Sequence, residues 1–382
     1  MNKLLYVGIS VLFIASSCKK EGCTDETALN YDAKAKKDDN SCEYAVVTDD
    51  SYSIPSTFVF ADANGNSTVD YSGQTDRINQ LSELIAKIKT GRTSVLNAQD
   101  LKDMFNNVGG NGNGNFTFTS SKQLKDKCFS LDQAMIESFM DSAAIASQSY
   151  MNTASNGQAG VLTSGTSSYL FDKNGKQYAE VVEKSIMGAC FMYQALNHYF
   201  GDAQMNVDNT TAVDAANGKY YTQMEHNWDE AFGYFGVAID FPTNTTAKYW
   251  GKYCISQDAN LGSNAVMMNN FLKGRAAISN NKIGDRNTAI QTIRVMWEDI
   301  CANQALKYLN DGIGYFGNDD AKFLQVMSEA YGFVYALRYT PEATRRMTQS
   351  EVDALVALFG DNFWDLTNND LQAIKAAIEA KY

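Results

Sequence analysis

The densest set of side chains able to do chemistry lies in Met224-Glu225-His226-Asn227-Trp228-Asp229-Glu230, followed by Ala-Phe-Gly-Tyr-Phe-Gly236. The chain has only two histidines, His198 and His226, so any imidazole chemistry starts from one of them. On a helix, His226, Asp229 and Glu230 stand at i, i+3 and i+4 and share a face. One neutral imidazole with one or two carboxylates is a ligand set for iron, zinc or manganese. A single helix cannot close such a site. In bundles, metals sit between inward carboxylates and histidines of different helices. Glu329, in Met-Ser-Glu-Ala-Tyr-Gly-Phe, is the expected ligand from a facing helix. The competing reading is structural. In it His226 packs beside Trp228, Glu225 and Glu230 are solvated, and Arg275, Arg294 or Arg338 neutralises a buried carboxylate without metal. His198, beside Tyr199 and Phe200 at a helix end, is expected to cap carbonyls or to pack. No Ser-His-Asp or Cys-His set stands out, and no phosphate loop.

The elements that must position these residues read as helices. Ile78, Leu81, Leu84, Ile85 and Ile88 recur at three- and four-residue spacing, with Gly91 as a stop. Asn97 with Asp100 opens a short second helix. Ser130 with Gln133 reads as a capping box for a helix whose inner face holds Leu131, Met135, Phe139, Ala143, Ala146 and Tyr150. Helical patterning continues over 178–200, 222–236, 264–279, 286–311 and 319–338. Thr348 with Glu351, and Thr367 with Asp370, cap two more helices before Tyr382. The Gly/Asn run over 109–115 reads as a flexible loop. Residues 45–73 read as extended, with Phe58, Val59 and Phe60 β-prone and Pro55 interrupting them. Asp62-Ala-Asn-Gly-Asn-Ser is not an EF-hand, because the sixth-position glycine and the twelfth-position glutamate are missing. The three prolines, at 55, 242 and 341, fall at or outside helix edges. The expectation is an all-α fold, one helical bundle or two packed side by side, with a short extended N-terminal segment.

The chain opens as a secretory signal over residues 1–17. Lys3 is positive, Leu4 to Ile14 is a short apolar core, and Ala15-Ser16-Ser17 are small. The core is shorter than the ~20 residues that span a bilayer. Small residues before Cys18 resemble a lipobox, although Ala15 stands where leucine is usual. The resemblance implies that Cys18 is the first mature residue and carries a lipid that ties the protein to the membrane. Lys19, Lys20 and Glu21 resemble the charged tag of lipoproteins sent to the outer face of the outer membrane, so the expected location is the outer membrane, on its cell-surface or periplasmic face. Residues 22–44 resemble a small module of exported bacterial proteins, with the pattern GCTD…A-x-NY…A-x-x-DD-x-SC-x-Y. So short a module has almost no core, and a disulfide between Cys23 and Cys42 is its natural staple. Asp25, Asp32, Asp38 and Asp39 could bind calcium, or simply form a solvated spacer. The expected order is thus signal, a lipidated stapled spacer over 18–44, and a main domain over 45–382.

Of the remaining cysteines, Cys190 and Cys301 lie in apolar helical stretches and read as small buried hydrophobes. Cys128 and Cys254 stay unassigned. No zinc-ligand spacing occurs. A hydrophobic content of 45% allows a substantial core, and a net charge of −12 excludes nucleic acid as a partner.

Ser67-Thr-Val-Asp-Tyr-Ser-Gly-Gln74, the Glu225–Gly236 segment and Ser328-Glu329-x-Tyr331-Gly332-Phe333 resemble the domain-of-unknown-function family 4856. The resemblance runs from about residue 50 to the C-terminus. That family looks related to the imelysin-like lipoproteins, which are helical, associated with iron uptake, and carry a G-x-H-x-x-E motif. His226 matches the motif histidine, whereas Met224 replaces its glycine and Asp229 its glutamate. A zinc protease of the H-E-x-x-H kind would need a second histidine where Glu230 stands. The leading expectation is an exported lipoprotein that binds a transition metal such as iron, or a metal-bearing ligand, through His226, Asp229, Glu230 and Glu329 without catalysis. The second is a non-catalytic interaction protein partnering an outer-membrane receptor. The third is a metallohydrolase, which needs an open coordination position and a positioned base.

Overall fold

The longest amphipathic stretch in the sequence becomes the longest helix, Ile283–Tyr315, and the other elements are arranged around it. The computed structural model describes residues 20–24, 30–37, 41 and 52–382. Cys18, Cys42, Asp25, Asp38 and Asp39 lie outside the described residues. In chain order the helices are α1 (Ser72–Lys89), α2 (Ala98–Phe105), α3 (Gln133–Ser147), α4 (Tyr178–Ile186), α5 (Asp202–Met205) and α6 (Gln223–Phe235). They continue as α7 (Trp250–Leu261), α8 (Ser263–Ser279), α9 (Ile283–Tyr315), α10 (Asp320–Ala336), α11 (Gln349–Leu358) and α12 (Asn368–Glu379). The chain past α4 continues through wider π-helical turns over Met187–Met192 and Gln194–Tyr199. Two antiparallel hairpins complete the fold: β1 (Gly160–Ser164) with β2 (Ser167–Phe171), and β3 (Ala212–Asp214) with β4 (Lys219–Thr222). The all-α expectation holds, with these hairpins as minor additions.

α9 packs against α7, α8, α10 and α12, and α10 also packs against α4. α6 packs on α1, α8 and the π-helical stretch. Trp228, Trp250 and Trp297 are fully buried. The indole of Trp228 donates to the Phe271 carbonyl at 3.0 Å, so its one polar atom is satisfied inside the core. α8 passes so close to this ring that a Cβ on Gly274 would lie 2.0 Å from it. No helix among the described residues is long and apolar enough to cross a membrane.

From residue 52 on, where it is described, the segment before α1 forms no regular strand, yet it is anchored by two aromatic side chains. Phe58 stacks on Phe232 of α6 with centroids 3.7 Å apart, and Phe60 lies 4.8 Å from the guanidinium of Arg275. Burying each phenylalanine contributes about 1.5–3 kcal/mol, enough to hold a segment that lacks a full backbone ladder. Asp62 accepts bonds from the backbone of Asn64 and Asn66, a local turn rather than a calcium loop.

Three local expectations are corrected. Ser130 caps nothing: α3 begins at Gln133 with Asp132 at its N-cap, Leu131 is 79% exposed, and the buried face is Ile136, Met140, Ala143, Ala144, Ala146 and Ser147. The Gly/Asn run is tied down by its own side chains. The Asn107 side-chain Oδ1 accepts from Gly112 N–H, its Nδ2 donates to the Ser120 carbonyl, and the Asn113 side chain donates to Asp103. Helix α7 has no counterpart among the expected elements, because only a narrow stripe (Trp250, Tyr253, Cys254, Gln257) is buried.

The described residues before residue 50 belong to a different unit from 51–382. Within it Glu21 bridges to Lys37, and Gly22 N–H donates to the Lys37 carbonyl at 3.2 Å. Asp32 pairs with Lys20, which occupies one of the oxygens considered for calcium. Cys23 is buried.

Candidate functional site

Thr222 starts α6 with a capping box. Its hydroxyl accepts from Glu225 N–H at 3.2 Å, and Glu225 returns the bond to Thr222 N–H at 2.9 Å. This start fixes the rotation of the helix. It sends Glu225 and Asp229 inward toward α8, and leaves His226 and Glu230 at the rim.

Asp229 is fully buried. Its Oδ1 accepts from Arg275 Nε at 2.9 Å and its Oδ2 from Asp70 N–H at 3.2 Å. Glu225 accepts from Arg275 Nη1 at 2.6 Å and from the Ser279 hydroxyl at 2.8 Å. The remaining Arg275 donors reach Ser279 Oγ, and the carbonyl and hydroxyl of Thr68 at 2.9 and 3.0 Å. A guanidinium has five N–H groups, and all of them are used. Arg275 therefore staples the extended segment to α6 and α8. One cation serves two carboxylates here, and burial wins at Asp229: its carboxyl is pushed up to about 7 although Arg275 pulls it down.

His226 is half-buried. Its ring stacks on Tyr221 with centroids 4.5 Å apart and 13° between planes. Nδ1 lies 3.0 Å from the Asp70 carbonyl, which can only accept, so Nδ1 carries the proton. Nε2 faces Glu230 Oε2 at 3.9 Å. The other oxygen of Glu230 accepts from the Gln74 amide at 2.9 Å.

Glu329 belongs to a different network. Lys184, 2% exposed, lies 2.9 Å from Glu180, 2.5 Å from Glu183 and 3.3 Å from Glu329. Lys89 reaches Glu180 at 3.1 Å. Tyr253 OH is 3.5 Å from Glu329, and Gln325 donates to its other oxygen. Burial raises the Glu329 carboxyl, with Lys184 opposing. At Glu180 burial is outweighed by Lys184 and Lys89, which hold it down to about 2. Burial would depress Lys184, but the three glutamates keep it well above the usual lysine range. Gly332 makes room for this lysine: a Cβ there would lie 2.3 Å from the Lys184 Cβ.

The structure thus brings His226 and Glu230 together, turns Asp229 inward to Arg275, and places Glu329 in a network that shares no residue with the other. Among the described residues, no cluster of three or more His, Cys, Asp or Glu side chains could hold a metal ion. Arg275 does what the structural reading of the sequence allowed, neutralising buried carboxylates. Arg294 instead donates to the Leu196 and Phe200 carbonyls, and Arg338 to Tyr335 and Asp353. His198 packs edge-on against Tyr199.

Sequence reasoning did not find the polar cleft between α7, α9 and the C-terminus. Asn260, Leu261, Asp299, Asn303, Leu306, Arg346, Glu379 and Tyr382 line about 540 Å3 there. Glu298, which does not line the cleft, accepts from two groups of lining residues, Tyr382 OH at 2.6 Å and Arg346 N–H at 2.8 Å, and burial raises its carboxyl. The only sequence signal was the Glu298-Asp299 pair in a helix.

Residues 55–382 match the family model described as Domain of unknown function DUF4856. No curated protein and no solved structure matches the chain. The match covers most of the chain, including both buried ion networks, and the chain belongs to the DUF4856 family.

Proposed function

We propose that this chain is an exported lipoprotein, cut and lipidated at Cys18, whose helical domain binds a partner at the outer membrane without catalysing a reaction. One observation carries the non-catalytic part. Asp229 and Glu329, the inward carboxylates offered by the sequence, are each committed to a buried cation, in two networks with no common residue. A general acid or base must reach the proton it moves, and neither carboxylate is free to do so. The polar cleft beside Tyr382 is open and is the surface on which we place the partner. Expression with labelled palmitate tests the anchor. The wild-type chain is expected in the membrane fraction carrying label, and Cys18→Ser without label. An unlabelled, soluble wild-type chain overturns the anchor.

One observation favours a second reading, the binding of a transition metal such as iron or of a metal-bearing ligand. His226 donates from Nδ1 to a backbone carbonyl and turns Nε2 toward Glu230, the orientation that backbone carbonyls impose on metal-ligating histidines. In this reading His226 and Glu230 supply two donors at the rim and the incoming ligand supplies the others. It is the form in which the iron-uptake association implied by the imelysin resemblance fits this chain. A stabilising shift with one transition metal, lost in His226→Ala, supports it. An identical shift in that variant removes it.

A further inference from the structure

Two cavities open side by side along α7 and α9. The cleft of about 540 Å3 beside Tyr382 has a neighbour of about 380 Å3, and the two share Asn260, Asn303, Leu306 and Glu379. They therefore form one groove. Its α9 wall runs from Asp299 to Asp311, which lie twelve residues apart. That is roughly 18 Å of helix axis, room for roughly three pyranose rings. The charges along it are already answered. Arg346 pairs with Asp299 at 2.7 Å, Lys307 with Asp311 at 2.7 Å, and Lys375 reaches Glu379 at 3.5 Å. Among the described residues, no lining side chain is left with an unpaired charge to draw in a phosphate, a carboxylate or a metal ion.

What remains is neutral hydrogen-bonding capacity on planar side chains that are held in place. Asn260 Nδ2 donates to Asn303 Oδ1 at 3.1 Å, and Asn303 Nδ2 donates to the Asp299 carbonyl at 2.9 Å. An amide has two N–H groups and an oxygen with two lone pairs, so Asn260 and Asn303 each keep a donor and an acceptor. The ring of Tyr382 is fixed as well, by its OH on Glu298 at 2.6 Å and by the Arg346 guanidinium 5.1 Å from its centroid. Vicinal sugar hydroxyls both donate and accept, as these amides do, and the C–H face of a pyranose packs on an aromatic ring. The alternatives fit less well. Apolar small molecules take predominantly apolar pockets. A docked helix needs an apolar stripe. Nucleic acid needs cations, and the chain carries a net charge of −12. We propose that this groove binds a neutral oligosaccharide through Asn260, Asn303 and the ring of Tyr382. The proposal rests on the reading that places a partner in this cleft, and it names the class of that partner.

The test is saturation-transfer NMR on the purified full chain. The probes are neutral linear trisaccharides of glucose, mannose, galactose and xylose, α- and β-linked, with a galacturonic acid trimer as the charged comparison. The expected result is transfer to at least one neutral trisaccharide in preference to the acidic one, with affinity about threefold to tenfold weaker in Asn260→Ala. Asn260 is exposed, so this substitution spares the core, and an unchanged melting temperature verifies that. Transfer to no neutral trisaccharide, preference for the acidic one, or binding that Asn260→Ala leaves unchanged overturns the proposal. A photo-crosslinking amino acid in place of Asn260, introduced in cells expressing the chain, separates this failure from failure of the partner reading. A protein adduct without a sugar response removes the sugar and leaves the cleft as a docking surface. Neither adduct nor sugar response removes both.

Discussion

Replacing Asp229 by Asn removes a carboxyl that the fold holds at about 7, against 3.8 in a free side chain. The cause is burial: Arg275 opposes the shift but shares its charge with Glu225, and the Asp70 N–H supplies only one further bond. Between those two values the folded chain binds a proton that the unfolded chain has already released. Stability from this group is therefore complete below about pH 4 and is lost as pH rises through 7. The integrated loss from pH 5 to pH 8 is about 3 kcal/mol, taking 1.36 kcal/mol per tenfold change in proton affinity. The assay is urea unfolding of the wild type and Asp229→Asn at half-unit steps from pH 5 to pH 8. Other buried acids titrate in both proteins, so the difference between the two curves isolates Asp229. Asn can accept from Arg275 but also aims a donor at Asp70 N–H, so the variant starts less stable. The gap should narrow by about 3 kcal/mol toward pH 8. A gap independent of pH would refute the assignment, and a gap that widens would mean that Arg275 outweighs burial.

Lys184→Met strips the cation from Glu180, Glu183 and Glu329 while keeping the volume, and should cost roughly 3–5 kcal/mol of unfolding free energy, read by urea denaturation at pH 7. Its penalty should shrink at low pH, where the three carboxyls are protonated; an unchanged penalty would mean the loss is one of packing. Gly274→Ala places a Cβ against the Trp228 ring and should cost about 1–3 kcal/mol, visible as a lowered melting temperature and altered near-ultraviolet tryptophan dichroism.

Much of the helical layout was readable because the signals were local. Thr348 with Glu351 and Thr367 with Asp370 form the capping boxes their spacing implied. Ile78, Leu81, Leu84, Ile85 and Ile88 are all buried on α1. Ser130 with Gln133 has a similar spacing but fails, since Asp132 takes the N-cap two residues later and turns the helix so that Leu131 faces water. Thr222 with Glu225 is an equally good box that sequence reading passed over. The hairpin β1–β2 also left a mark, Gly165 at φ +56 between two β-prone runs, but a helical frame obscured it.

The site was legible only in part. Spacing does bring His226, Asp229 and Glu230 to one side of α6. It does not say that adjacent positions differ by 100° around the axis, enough to send Asp229 into the core and leave Glu230 at the rim. Glu329 met Lys184 rather than His226, a pairing across 145 positions that no local pattern encodes. Arg275 was one of three candidate counter-ions, and only the fold shows that Thr68 and Phe60 complete its surroundings.

The most direct measurement of the central claim is thermal unfolding of the chain lacking residues 1–18, stripped of ions, with ferrous, ferric, zinc, manganese or calcium ions added. It compares wild type with His226→Ala and with Glu329→Gln. A metal at 100 times its dissociation constant adds about 2.7 kcal/mol, a shift large enough to read. The account places Glu329 and His226 in separate networks. It predicts that Glu329→Gln responds to every ion as the wild type does, whether or not His226→Ala changes the response. A metal-specific rise abolished by either single substitution would put both side chains on one ion and contradict the account.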